Sequence, residues 1–168
     1  MIGLGSVGLP LVLLLCEQKF PVTGFEVDTK KLELVKNRGW HTYRITPAQI
    51  QSARANGFIR TPDYTSIAEM DVAIICVPTA LSEHHEPDLT YTSIAAESIA
   101  AQLRAGQLVI VDSTTHSRAT EGVLVPILES ENKRGLKAAR AGVEGDKLFL
   151  VGFFAEARRL GQHHHRAA

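Results

Sequence analysis

Three glycines near the start of the chain, Gly3, Gly5 and Gly8, carry the spacing G-x-G-x-x-G, and the apolar run 9–16 follows them directly. At a strand-to-helix turn each of these glycines has a distinct use. The first makes the tight turn, the second lets a diphosphate approach bare backbone, and the third lets the helix pack close to the sheet. Ser6 and Val7 complete the loop, and the helix start behind them offers unpaired N–H groups and a partial positive charge to an anion. An acidic residue stands at a matching distance. Glu26 lies 18 residues past Gly8, near the end of the apolar run 20–27. A carboxylate at the end of a second strand can accept hydrogen bonds from the adenosine ribose hydroxyls of a dinucleotide. Its charge repels the additional phosphate of NADP, so the pattern favours NAD.

These residues need elements to hold them, and the patterning supplies alternating helices and strands. Helices are expected over about 7–18, 29–37, 47–55 and 90–103, with a turn or two at 65–69 and a last helix over 120–131, bent at Pro126. Pro10 is compatible with the first turn of its helix, and Thr46-Pro47 is a helix start signal. Tyr91, Ile94, Ala95, Ser98 and Ile99 recur at helical spacing, with Thr90 as the candidate N-cap. Strands are expected over 22–27, 58–61, 71–77, 107–111 and 148–151. The continuous apolar run at 71–77 is the mark of a strand covered on both faces. The expected fold is α/β, a Rossmann-type doubly wound, mostly parallel sheet with helices on both faces. Only Met1 and Ile2 precede Gly3, so the first strand is expected to be largely missing, leaving a gap in the centre of the sheet. Residues 1–152 are expected to form one NAD-binding domain, truncated at both ends, and 153–168 a divergent or disordered tail.

Composition narrows the function classes. Eighteen basic residues balance 18 acidic ones in a chain of 168, which gives no basic surface for nucleic acid and no polybasic segment for an anionic membrane. The apolar run at 9–16 is too short to span a bilayer. Two cysteines far apart suggest a reducing cytoplasm instead of a disulfide framework. Cys16 and Cys76 read as core residues. His84 and His85 lack supporting metal ligands, and the histidines at 163–165 read as a tag remnant or chance tail. No metal site is expected.

Several segments together resemble the nucleotide-sugar 6-dehydrogenase family, which oxidises UDP-glucose, GDP-mannose and UDP-N-acetylhexosamines. They are Gly3-Leu4-Gly5-Ser6-Val7-Gly8-Leu9-Pro10-Leu11, Val22-Thr23-Gly24-Phe25-Glu26-Val27-Asp28, Ile75-Cys76-Val77-Pro78-Thr79, His84-His85-Glu86-Pro87-Asp88-Leu89 and Asp112-Ser113-Thr114-Thr115. The stretch 84–89 most resembles the branch acting on UDP-N-acetylglucosamine or UDP-N-acetylmannosamine. The resemblance implies that Gly3, Gly5 and Gly8 hold the NAD pyrophosphate and Glu26 the adenosine ribose, with Lys31 assisting at the ribose end. It implies that Val77, Pro78 and Thr79 lie against the cofactor, and that Ser113, Thr114 and Thr115 end a strand on the same edge. Thr115 would stand near the nicotinamide and the reacting sugar. Glu156 would match a glutamate that assists catalysis, although the family's serine and proline before it are absent, and Ser117 and Arg118 replace a usual Pro-Gly.

Members of this family take a primary alcohol to a carboxylate with two NAD, trapping the intermediate aldehyde on a cysteine thiolate. That cysteine, a lysine and an asparagine lie in a middle domain that this sequence does not contain. The expectation is therefore the NAD-binding portion of a UDP-N-acetylhexosamine 6-dehydrogenase, inactive alone. A UDP-sugar would be a partner, and a homodimer would form, only in a full-length enzyme. A non-catalytic NAD-binding remnant or pseudogene product is the competing expectation.

Overall fold

The apolar run behind the glycines winds into α1 (Gly8–Glu17), which buries Leu9, Val12, Leu13 and Cys16 along one stripe. The structure is a computed structural model, and its description covers residues 1–26, 45–78, 88–112, 120–140 and 145–154. The helix expected at 29–37, the histidine pair at 84–85 and the tail from 155 lie outside the described residues.

Strand β1 (Val22–Phe25) follows α1. Helix α2 (Pro47–Ala55) begins at a reciprocal cap: the Thr46 N–H donates to Gln49 Oε1 at 2.8 Å, and the Gln49 N–H donates to Thr46 Oγ1 at 3.3 Å. Two donors that the helix start would leave orphaned are thereby satisfied. Gly57, at φ +94, turns the chain into β2 (Phe58–Thr61). A 3₁₀ helix (Tyr64–Glu69), capped by Asp63, buries Ile67 and leads into β3 (Val72–Ile75). Then come α3 (Thr90–Ala100), β4 (Leu108–Asp112), a π-type turn (Thr120–Leu124) running into α4 (Val125–Glu131), β5 (Lys137–Ala138) and β6 (Leu148–Phe154).

All the strand pairings described are parallel. β1 pairs with β2, β3 with β4, β4 with β6, and β5 with β6. Ile2 joins the two halves, because it bridges Phe25 of β1 and Ile75 of β3. The spatial order is therefore β2, β1, the Met1-Ile2 stub, β3, β4, β6, β5, with the start of the chain in the middle. Counting the stub as the first strand, the first five follow the 3-2-1-4-5 order of a doubly wound α/β sheet, and at the edge β6 lies inside β5.

Met1 and Ile2 point to opposite faces, as successive strand residues must. Met1 joins a core with Leu4, Leu9, Val12, Cys16, Phe58 and Cys76, roofed by α1 and α2. Ile2 joins a second core with Phe25, Ile67, Ile75, Ile99, Leu128 and Phe149, roofed by α3 and α4. Buried amides hold the connections. Gln107 Nε2 donates to the Ile67 and Met70 carbonyls at 2.8 and 2.6 Å. Asn132 donates to the Leu128 and Leu136 carbonyls and accepts from the Leu136 N–H at 2.6 Å.

Three details depart from the sequence reading. The N-terminal donor of α3 is satisfied by Asp88, whose Oδ1 accepts from the Thr90 N–H at 2.9 Å, so Thr90 is the first helical residue instead of the cap. Hydrogen bonding from the Thr90 side chain, reinforced by this backbone bond, holds the Asp88 carboxyl below its ordinary pKa. β5 was not expected, since two residues show no alternation. β3 is not covered along both faces: Ala73 and Ile75 are buried, but Val72 is 41% exposed. Among the described residues no strand stands beside Val72 on the side of Met1, and a cavity of about 540 Å³ lies there.

The Met1 ammonium is buried at the end of this gap and donates to the Thr23 carbonyl at 2.8 Å. Burial lowers its pKa from 8.0 to about 6, opposed by the nearby Cys76 thiol. Between these values the unfolded chain binds more protons than the folded one, so stability rises with pH from about 6 to 8. Two pKa units correspond to about 3 kcal/mol. Acetylating the amino group should stabilise the chain by about that amount at pH 6 and have little effect at pH 9, as read by urea unfolding.

Candidate functional site

The glycine loop closes on the carboxyl edge of the sheet. The Gly3 N–H donates to the Phe25 carbonyl at 3.0 Å, and the Cys76 N–H donates to the Ile2 carbonyl at 2.8 Å. Gly3 sits at φ +87, where a Cβ would meet the Cys76 carbonyl oxygen at 2.7 Å. A Cβ on Gly8 would collide with the Gly3 carbonyl oxygen and stand 3.2 Å from Cys76 Cβ. These two glycines are required by the protein's own packing. Gly5 differs: a Cβ there would meet nothing within 4 Å. Its bare backbone faces open space at the mouth of the loop, as a cradle for a bulky anion requires.

Helix α1 has no side-chain cap at its start, where Val7 occupies the N-cap position. The N–H groups of Ser6, Val7 and Gly8 have no hydrogen-bond partner among the described residues. Ser6 and Val7 are exposed. Uncapped donors at a helix start present positive potential to a phosphate.

Glu26 stands one residue beyond β1, and its Oε2 accepts from the Leu4 N–H at 3.3 Å. The carboxylate is thus fastened to the interior of the glycine loop. It also acts on Tyr64: burial raises the phenol's pKa, and the Glu26 charge raises it further. Tyr64 in turn packs on Phe25, ring centroids 5.2 Å apart.

Val77 and Pro78 follow β3 on the same edge, Val77 half-buried against the core and Pro78 exposed. The structure therefore brings Gly3, Gly5, Ser6, Val7, Gly8 and Glu26 to one corner, with Val77 and Pro78 alongside. Lys31, Thr79, Ser113, Thr114, Thr115 and Glu156 lie outside the described residues.

Two participants were not expected. Leu4 contributes only its backbone N–H, which no residue pattern advertises. Asp112, at the end of β4, stands with Oδ2 3.8 Å from Cys76 Sγ, and the same thiol lies 3.3 Å from Met1 Sδ. Burial, reinforced by the Asp112 charge, pushes the Cys76 thiol up to about 12. Burial also raises the Cys16 thiol. Both cysteines are buried protonated thiols, the opposite of what an attacking thiolate requires. Among the described residues no group of three or more His, Cys, Asp or Glu gathers to hold a metal ion, and no helix is long and apolar enough to cross a membrane.

A parallel sheet with the chain start at its centre, a glycine loop running into an uncapped helix, and a strand-end carboxylate beside it define a Rossmann-type α/β domain. The chain belongs to the UDP-glucose/GDP-mannose dehydrogenase family, whose NAD binding domain matches residues 1–145.

It is 30% identical over its whole length to UDP-N-acetyl-D-glucosamine 6-dehydrogenase of Pseudomonas aeruginosa, covering 37% of that protein. It is 36% identical over 124 residues to UDP-N-acetyl-D-mannosamine dehydrogenase of Salmonella typhimurium, covering 72% of this chain and 29% of that one. The chain thus spans about a third of the length of these relatives. The UDP-D-ManNAc dehydrogenase of Pyrococcus horikoshii superposes with a TM-score of 0.72 at 27% identity, over 89% of this chain and 34% of that one. The GDP-mannose dehydrogenase of Pseudomonas aeruginosa also gives 0.72, at 24% identity, over 91% and 35% respectively.

The glycine geometry separates packing from binding. Gly3→Ala should cost about 2 kcal/mol or more in denaturant unfolding, from a strained φ and a backbone clash. Gly8→Ala should also destabilise the chain. Gly5→Ala should leave stability within about 0.5 kcal/mol of the parent.

Proposed function

We propose that this chain is the NAD-binding portion of a nucleotide-sugar 6-dehydrogenase that oxidises the C6 alcohol of a UDP-N-acetylhexosamine to the carboxylate. The observation that supports the cofactor reading is the contact between the Glu26 carboxylate and the Leu4 N–H, which ties the strand-end acid to the glycine loop. The substrate class rests on the two curated relatives above, whose names specify UDP-N-acetylhexosamines.

In this reading the Ser6, Val7 and Gly8 N–H groups receive the pyrophosphate, and Gly5 admits it to the backbone. Glu26 accepts the hydroxyls of the adenosine ribose and repels a 2′-phosphate, with Lys31 assisting at that end. Val77, Pro78 and Thr79 serve the cofactor, as do Ser113 and Thr114. Thr115 positions the reacting end, and Glu156 assists catalysis. When bound, NAD supplies the acceptor for hydride, two equivalents per alcohol taken to carboxylate. Residues 1–152 act as the binding unit.

The chain alone does not complete the reaction in this reading, because the described thiols are buried and protonated and the family's nucleophile belongs to a further domain. A full-length enzyme would bring the UDP-sugar site and the homodimer. The buried free thiols suit a cytoplasmic setting.

Calorimetric titration should show NAD binding more tightly than NADP. Glu26→Ala and Glu26→Gln should each narrow that preference by about tenfold, or 1.4 kcal/mol; an unchanged ratio would remove Glu26 from the role. Gly5→Ala should weaken NAD binding at unchanged stability. Mixed with NAD and UDP-N-acetylglucosamine, the chain should generate no sustained absorbance at the NADH band, and turnover would refute the need for a second domain.

A further inference from the structure

The turn that joins α2 to β2 carries Asn56-Gly57, the one asparagine–glycine step in the sequence. Asn56 follows the last residue of α2 at φ −96 and ψ 18, and Gly57 stands at φ +94. Gly57 is exposed, and a Cβ there would meet only Pro21, at 3.5 Å. The turn between α1 and β1 therefore lies directly alongside. That turn holds Lys19 at φ +66, in the left-handed region that residues with side chains seldom adopt. Its N–H donates to the Cys16 carbonyl at 3.0 Å. From there the Lys19 ammonium crosses to the neighbouring turn and donates to Asn56 Oδ1 at 2.7 Å. Lysine can only donate, so the amide's oxygen faces the charge.

The surroundings of Asn56 suit a reaction at its side chain. A cavity of about 240 Å³ opens beside it, lined by Leu13, Glu17, Gln49, Ser52 and Asn56 itself, which brings water to the amide. The Gly57 nitrogen carries no neighbouring Cβ to shield it. Its N–H donates to the Arg54 carbonyl at 3.1 Å, and bonds at a helix end are the first to open. Asn132 provides the contrast. It is buried, its Nδ2 donates to the Leu128 and Leu136 carbonyls, its Oδ1 accepts from the Leu136 N–H, and Lys133 follows it.

We propose that Asn56 is a self-modification site, at which the Gly57 backbone nitrogen displaces the side-chain amide while Lys19 stabilises the charge that gathers on Oδ1. The two reacting groups belong to adjacent residues, so the step is intramolecular. As the nitrogen adds to Cγ, negative charge develops on an oxygen that already faces an ammonium. The Gly57 proton passes to solvent base, the N–Cγ bond forms, the Cγ–Nδ2 bond breaks, and ammonia leaves with a proton from water. The resulting five-membered imide then adds one water molecule. Opening of the new N–Cγ bond leaves aspartate. Opening of the original backbone C–N bond leaves isoaspartate and routes the chain through the side chain, one carbon longer. Aspartate turns the Lys19 contact into an ion pair. Isoaspartate lengthens the connection to β2, whose pairing with β1 starts at the next residue, Phe58 against Val22. The site lies at the amino end of these strands, opposite the glycine loop, and is independent of the cofactor reading.

The test incubates the full chain at mildly alkaline pH and follows aspartate and isoaspartate by peptide mapping. Asn56 should convert about tenfold faster than Asn132. Lys19→Gln keeps a donor on the turn and removes the charge, so conversion should slow about threefold or more at an unchanged melting temperature. Lys19→Arg keeps the charge and should retain most of the parental rate. An Asn56 that stays amidated throughout would overturn the proposal. So would Lys19→Gln at the parental rate or above it, because the ammonium would then hold the amide still instead of activating it.

Discussion

Residues Met1, Ile2 and Gly3 join the two half-sheets: Met1 and Gly3 exchange hydrogen bonds with β1, and Ile2 bonds Ile74 and Cys76 on the β3 side. β1 and β2 with α1 and α2 form one side of the molecule, and β3 to β6 with α3 and α4 the other. Their common plane depends on Ile2 pairing with Phe25 and Ile75 at once. The glycine loop follows immediately, so the corner that faces a dinucleotide is positioned by the same residues that align the sheet. Sheet order and site are set by one short ladder, and a disturbance there reaches both.

Within the loop, structural and functional demands fall on different glycines. Gly3 and Gly8 press against the Cys76 and Gly3 carbonyls and leave no room for a methyl group. Gly5 has room, and its bareness becomes useful only when something large and anionic comes close. Glu26 adds a third constraint by gripping the Leu4 N–H, so the loop and the strand end behave as one rigid unit. Preorganisation of this kind reduces the ordering cost of binding.

The parts of the fold legible in the sequence are those governed by local chemistry. The Thr46-Pro47 start and the bounds of α2 were readable because a cap involves residues three apart. The mostly parallel sheet followed from the strand–helix alternation, whereas the central position of the chain start was implied by the family resemblance. What escaped depends on distant groups. β5 exists because β6 pairs with it, because Asn132 holds Leu136 just before it, and because the Ala138 N–H donates to Glu129 Oε1 at 3.0 Å. The exposure of Val72 is set by what packs beside it, which no property of the run 71–77 reveals. At the site, the distance from Gly8 to Glu26 pointed to the right corner, whereas Leu4 and Asp112 entered through a backbone amide and a cross-strand contact.

Cys16 and Cys76 both lie in the core beneath α1 and α2, and neither reaches the core beneath α3 and α4. Alkylating reagents can reach them only when that side of the sheet opens. The rate of thiol modification is therefore a built-in clock for separation of the glycine-loop half from the rest. Any molecule that clamps the loop slows that clock, whether or not it is ever chemically transformed.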